Sequence, residues 1–401
     1  MTLEFDILQT ITIAVVVLSI GAVIKNRIYF FQKFFIPNPV IGGIIVALIA
    51  LIGYSTGAFF FEFDTTLQNI FMTAFFTAVG FSCDFKAFKK GGKLGLILTL
   101  VTIVLISVQN VIGIVLAKVL DINPLIGLAT SSVALTGGHG TSAAFGPVFE
   151  TYNASGATTV ALSAATFGLV AGGLVGGPVS RYLIKKNNLI REAKAKQLKE
   201  AKEAITEEVQ PYSGLSEGKM FNAAYQLIVA MGIGTIVSLL IESVGLIFPG
   251  YIGGLLMGIV IRNLGEFSGK YNVPTREINT IGQISLSLFI AMALMTLKLW
   301  ELKDLAIPMI IILTAQVIFI ILFIVFFAFR VLGKDYDSAV MVSGVTGFGL
   351  GAMPVAVANM QTFMEEYPAS PTVFFVITGI GTIAIDISNS FLVTFFVNVL
   401  T

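Results

Sequence analysis

Leu135-Thr-Gly-Gly-His-Gly-Thr-Ser-Ala-Ala-Phe-Gly146 and Ser343-Gly-Val-Thr-Gly-Phe-Gly-Leu-Gly-Ala-Met-Pro354 each interrupt a hydrophobic stretch of a 401-residue chain. Superposing Gly138 and Gly140 on Gly349 and Gly351 aligns the two at an offset of 211 residues. Glycine-rich backbone exposes amides and carbonyls that hydrocarbon cannot satisfy. At membrane depth it survives only when buried in protein or lining a wet cavity. A matched pair, one in each half of the chain, is the strongest pointer in this sequence to a transport site.

The surrounding composition supplies the membrane. The chain is 56% hydrophobic and 12% charged, with a mean hydropathy of +0.92. Soluble domains carry about 25% charged residues, so this is an integral membrane protein with room for ten or so spans of about 20 residues. No basic patch interleaved with aromatics points to nucleic acid. The single cysteine, Cys83, excludes an internal disulfide and a multi-cysteine metal centre. The first six residues hold Glu4 and Asp6 and no base, whereas a cleaved signal peptide wants a positive start. Residues 7–24 therefore read as a retained first span.

Apolar runs predict spans near 7–24, 40–57, 67–83, 94–117 and 155–182 in the first half. Those of the second half fall near 220–241, 247–264, 280–298, 305–330 and 371–400. The glycine-rich stretches, 124–149 and 338–365, lie between the fourth and fifth span of each half and read as re-entrant hairpins. With the N-terminus outside, 21 of the 24 Lys and Arg fall in inner loops, as the positive-inside bias requires. Trp300 then sits at the outer end of the eighth span as an interfacial anchor. Both termini are expected on the extracytoplasmic side. Ile41-Gly-Gly43 matches Ile252-Gly-Gly254 at the same offset of 211, and Phe76–Phe81 resembles Phe289–Leu294 at 213. An odd number of spans per copy inserts the second upside down. The expected fold is therefore all-α and polytopic, with two inverted-topology repeats of five transmembrane helices. The domains are 1–184, a charged cytoplasmic linker helix at 185–219 with Lys196–Glu200 and Lys199–Glu203 at helical spacing, and 220–401.

Asp386 is the one carboxylate deep inside a predicted span, a costly placement that reads as functional by default. Asn389, three residues on, shares its helix face. With freed carbonyls, Thr166 and Thr382, they compose a Na⁺ site of hard oxygen ligands. Asp386 is also open to reading as a proton carrier or a structural acid. His139 is the only histidine and cannot build a His-based metal centre alone; it either donates to a substrate carboxylate or holds its loop in shape. Thr136, Thr141 and Ser142 bring hydroxyls beside the amides of Gly138 and Gly140. The second stretch offers mainly backbone at Gly347, Gly349 and Gly351, suited to an anion at a half-helix N-terminus, with Asn359 trailing it. Gln109, Asn110 and Gln316 read as interhelical glue.

Several blocks carry a resemblance. Ala134–Phe145, Ala165–Pro178, Gly347–Pro354, Ser285–Glu301 and Phe35–Gly43 are similar to the bacterial sodium/glutamate symporter family, and the likeness runs over nearly the whole chain. It implies a Na⁺-coupled importer of L-glutamate in the bacterial inner membrane, acting as a homodimer whose mobile transport domain moves against a scaffold. It carries over His139, Gly140, Thr141, Gly349, Gly351 and Asp386 as site residues, Na⁺ as the co-transported ion and no organic cofactor. The long Ala/Lys/Glu linker departs from that pattern. Two other functions fit the sequence less well. A carrier of the same build for citrate or malate, coupled to Na⁺ or H⁺, is separated by its uptake profile. An intramembrane aspartyl protease would need a second aspartate at membrane depth, and Asp337 stands at a span end.

Overall fold

The computed structural model describes residues 1–85, 92–189, 216–243, 249–269, 271–367, 370, 373–374 and 376–401. Most of the linker expected as a helix, 190–215, lies outside the described residues. The rest is helical apart from two short strands, β1 (Thr2–Phe5) and β2 (Phe60–Phe63), paired in parallel with Thr2 opposite Phe60. Their end of the helical bundle is called the strand end below.

The first half contains α1 (Ile7–Arg27), the short α2 (Tyr29–Lys33), α3 (Asn38–Thr56), α4 (Thr66–Ser82) and α5 (Gly92–Val119). Three short helices follow, α6 (Pro124–Ala129), α7 (Ser132–Leu135) and α8 (Gly138–Thr151), and then the long α9 (Ala157–Asn187). The second half holds α10 (Glu217–Ser243), α11 (Ile252–Ser268), α12 (Thr275–Met295) and α13 (Ala306–Phe323). It closes with the broken α14 (Tyr336–Glu366) and α15 (Thr382–Leu400). Helix α13 continues through a π-helical turn to Leu332, and α15 is entered through another at Val376–Gly381.

Local chemistry sets several boundaries. Asp6 and Gln9 form a reciprocal capping box at the start of α1, with Gln9 N donating to Asp6 Oδ1 at 2.8 Å. Asn123 caps α6, where Pro124 takes the first helical position and gives up an amide that has no partner there. Asp335 caps α14 through the amide of Ser338.

Among the described residues, nine helices are long and apolar enough to cross a membrane. Eight of them coincide with expected spans. The ninth, Tyr336–Phe363, is the segment expected as the second hairpin, and it is not continuous: Gly351 and Ala352 leave helical geometry inside it. The other two expected spans, α4 and α11, are 17 residues each.

The helices form two bodies. Helices α1, α3, α4, α10, α11 and α12 pack chiefly among themselves, as do α5 to α9 with α13 to α15. Close backbone approaches at glycine join the first body: a Cβ on Gly42 would strike the carbonyl of Val17, and one on Gly253 that of Gly234. An apolar seam joins the bodies, with Phe76 and Tyr251 stacked at 3.7 Å and the Phe145 ring edge-on to Tyr251 at 6.2 Å. At the strand end Trp300 stacks on Tyr54 with centroids 4.0 Å apart, tying the turn after α12 to the end of α3.

Candidate functional site at the facing helix breaks

Contacts mark the end of the first glycine-rich stretch and both ends of the second. Thr158 N donates to Glu150 Oε1, and Glu150 lies beside Glu301 at the strand end. Burial raises the pKa of the Glu301 carboxyl, Lys298 offsets part of this, and Glu150 adds to it. Around α14 the hydroxyl of Ser370, beyond the helix end, donates to Asp337 of its first turn at 2.9 Å, and the rings of Phe363 and Tyr336 lie 6.3 Å apart, both at the opposite end.

Midway, each stretch breaks. In the first, Gly137 and Gly138 separate α7 from α8, and Gly138 takes φ +65°. In the second, Gly351 has φ −139° and Ala352 has φ 69°, ψ 173°. That is a region open essentially to glycine alone, which costs a residue bearing a Cβ roughly 1–3 kcal/mol. The breaks touch: a Cβ on Gly138 would lie 3.1 Å from that of Ala352. The contact pairs residues 138 and 352, three further along than the glycine-for-glycine alignment.

Each break is cradled by the helix that follows the other one. Helix α9 lies along α14. Gly168 and Gly172 leave room for the carbonyls of Leu350 and Gly347, and Gly176 for the side chain of Asn359, whose Nδ2 donates to Gly172 O at 3.1 Å. Helix α15 lies along the first break, where Asn389 Nδ2 donates to Ser132 O at 3.3 Å and packs over Gly137.

Two buried glutamines connect the stretches. Gln109 on α5 accepts from Thr136 Oγ1 and donates to Gly349 O, both at 2.8 Å. Gln316 on α13 donates to Gln109 O at 2.8 Å and to Ser131 Oγ at 3.0 Å. Each glutamine thus reaches the stretch of the opposite half. Patterning marked both as buried polar residues on single helices, but nothing in it revealed that their partners lie on the other half's loop.

His139 is 5% exposed, and its Nε2 meets Thr166 Oγ1 at 3.0 Å. That hydroxyl already donates to Leu162 O at 3.0 Å, so the ring donates from Nε2 and keeps Nδ1 as an acceptor, a tautomer assigned from the network. Thr141 is buried against Gly137, Ser142 donates to Ala161 O at 3.2 Å, and Gly140 faces Phe75 and Leu286 of the neighbouring body.

Thr382, Asp386 and Asn389 share one stripe of α15. The Thr382 hydroxyl donates one turn back to Thr378 O at 2.7 Å. Asp386 is half-buried beside Tyr251, and its carboxylate has no hydrogen bond or ion pair among the described residues. Among the described residues, Asn389 Oδ1, Ser132 Oγ and Asn110 Nδ2 are buried polar atoms near the first break without a partner. Buried polar groups are normally satisfied. Unpaired atoms beside a helix break, a half-buried carboxylate and a threonine suit a small ion or polar solute. Ser132 escaped the sequence reading because nothing in its neighbourhood marks it. Thr166, by contrast, is drawn to His139 rather than to the Asp386 stripe.

A family model described as sodium/glutamate symporter matches residues 3–369. The chain belongs to the sodium/glutamate symporter family. It is 38% identical over 393 residues to the sodium/glutamate symporter of Escherichia coli (strain K12), covering 97% of each. It is 37% identical to that of Haemophilus influenzae, covering 97% of this chain and 96% of the other. Among solved structures, the sodium proton antiporter MjNhaP1 of Methanocaldococcus jannaschii aligns over 98% of both chains at 19% identity and a TM-score of 0.44. Family membership makes the chain a transporter rather than an enzyme.

Proposed function

We infer that the protein is a secondary active transporter that carries L-glutamate into the cell with Na⁺ by alternating access, in a bacterial inner membrane. The observation that carries this reading is the meeting of two helix breaks, with unpaired buried polar atoms and a carboxylate beside one of them. In the same reading the two glycine-rich stretches are re-entrant hairpins of two inverted five-span repeats. The Ser370–Asp337 bond at one end and the Glu150–Glu301 neighbourhood at the other support opposed entry. The far end, which gathers Arg27, Lys33, Arg181, Arg262 and Arg330, is then cytoplasmic, and both termini are outside.

Facing breaks supply both signs of charge. The amides opening α8 at Gly138, His139 and Gly140, and those opening the second arm of α14 after Gly351, are N-terminal groups without intrahelical partners. They suit the carboxylates of glutamate. Thr136, Thr141, Ser142 and the Thr166-bound His139 add hydroxyls and an imidazole, and Gly347, Gly349 and Asn359 line the second side. The Na⁺ ligands are Asp386, Asn389 and Thr382, with Ser132 and the carbonyls ending α7. Hard oxygens suit the ion, and a carboxylate offsets its charge. Each Na⁺ that enters with the membrane potential gains about 2.3 kcal/mol per 100 mV, which drives uphill uptake. The core body (α5 to α9, α13 to α15) is the mobile part, and the remaining helices are the scaffold of a homodimer. The relatives' names favour glutamate over citrate or malate.

Uptake of labelled glutamate, aspartate, glutamine, citrate and malate into proteoliposomes, with an imposed Na⁺ or H⁺ gradient, tests this. Glutamate accumulation that needs Na⁺ and grows with an inside-negative potential is expected. Accumulation of citrate instead, or driven by the proton gradient alone, would overturn it.

A further inference from the structure

Tyr251 belongs to the scaffold, immediately before α11, yet its ring is built into the seam between the bodies. Phe76 of α4 stacks on it from its own body at 3.7 Å, and Phe145 of α8 meets it edge-on from the core body at 6.2 Å. The residue is 0% exposed. Its hydroxyl lies beside Ser390 and in the field of the Asp386 carboxylate, both on α15 of the core body. Among the described residues that hydroxyl has no hydrogen-bond partner, and neither has the half-buried carboxylate. A donor and an acceptor carried by different bodies are thus both unsatisfied, a costly condition for buried polar groups. The other side-chain donors on that face of α15 are committed. Thr382 Oγ1 donates to Thr378 O at 2.7 Å, Asn389 Nδ2 to Ser132 O at 3.3 Å and Ser390 Oγ to Asp386 O at 2.8 Å. The phenol of Tyr251 is the donor that remains. Ser390 Oγ can accept from it, but a carboxylate is the stronger acceptor, because charge-assisted hydrogen bonds are roughly twice as strong as neutral ones.

We propose that Tyr251 is a coupling residue: its hydroxyl holds the Asp386 carboxylate before Na⁺ binds, and Na⁺ takes its place. The role of Asp386 as an ion ligand rests on the function proposed above. A donated proton and a cation seek the same carboxylate oxygens, so the two compete. The phenol's bond crosses the seam, and ion binding therefore removes a tie between the scaffold and the core body. Occupancy of the ion site is in this way linked to the freedom of the bodies to move. In the sequence Tyr251 stands unremarked in front of Ile252-Gly-Gly254.

Tyr251→Phe keeps the ring contacts and removes only the hydroxyl. Thermal unfolding of the purified full-length protein, without substrate and with Na⁺ exchanged for choline at constant ionic strength, reads ion occupancy through stability. The variant should unfold at a lower midpoint than the parent protein in choline and at the same midpoint in saturating Na⁺. A hydroxyl that only packs would shift both midpoints equally. The half-saturating Na⁺ concentration should fall about tenfold, because the ion no longer displaces a hydrogen bond to a charged group. Ser390→Ala removes the other acceptor beside the phenol and should leave that concentration unchanged. Asp386→Asn should abolish stabilisation by Na⁺. An unchanged half-saturating concentration in Tyr251→Phe, or an equal fall in Ser390→Ala, would overturn the coupling role and leave Asp386 in the ion site. Full stabilisation of Asp386→Asn by Na⁺ would instead overturn the ion site itself, and the proposal with it.

Discussion

At the scale of single residues, the two breaks depend on backbone conformations that side chains resist. Gly138 holds φ +65° with the Ala352 methyl 3.1 Å from where its own Cβ would be. Gly138→Ala therefore meets left-handed strain and a crowded neighbour together. It should lower stability by about 1–2 kcal/mol, seen as a lower unfolding midpoint of the purified protein. Ala352→Gly should do the opposite, because it relieves a φ of 69°; a lower midpoint for that variant would contradict the strained geometry. Gln109→Leu is isosteric enough to keep the fold but leaves Thr136 Oγ1 and Gly349 O without partners. Each buried orphan costs about 1–3 kcal/mol, and uptake should fall more than tenfold while Gln316→Leu, which removes fewer contacts to the breaks, falls less.

At the scale of elements, α9 and α15 are shaped by what they cradle. Gly168 and Gly232 are both mid-helix glycines, yet a Cβ on Gly168 strikes the Leu350 carbonyl whereas one on Gly232 meets nothing within 4 Å. Gly232→Ala should stabilise the protein by roughly 0.5–1 kcal/mol through helix propensity, and Gly168→Ala should destabilise it. Thermal unfolding of the pair separates a packing glycine from an incidental one. The spans themselves were legible, because a bilayer demands long apolar runs and α1, α3, α5, α9, α10, α12, α13 and α15 supply them. The stripe of Asp386 and Asn389 was legible for a similar reason, helical spacing being fixed. The contact of Gly138 with Ala352 was not. Matching glycine to glycine set residue 138 against 349, and an alanine held at positive φ leaves no mark in a sequence. Ser132 and the crossing reach of Gln109 and Gln316 were equally hidden, since their partners come from 185 to 257 residues away.

At the scale of the whole molecule, transport by alternating access requires the two bodies to move against each other. Their seam is apolar and crossed near Gly140, whose Cβ position lies 3.3 Å from Leu286 Cδ1 across the divide. Cysteines at Gly140 and Leu286, cross-linked in a Cys83→Ser background, should abolish turnover, and reduction should restore it. A cross-link within the core body, between Gly95 and Ile380, should leave uptake near the level of the uncross-linked pair; equal loss in both would argue against relative motion of the bodies. The most direct test of the account concerns the carboxylate beside the first break. Labelled glutamate uptake by Asp386→Asn in proteoliposomes, under an inward Na⁺ gradient, is predicted to fall to the level of protein-free liposomes. Undiminished Na⁺-dependent uptake by that variant would contradict it.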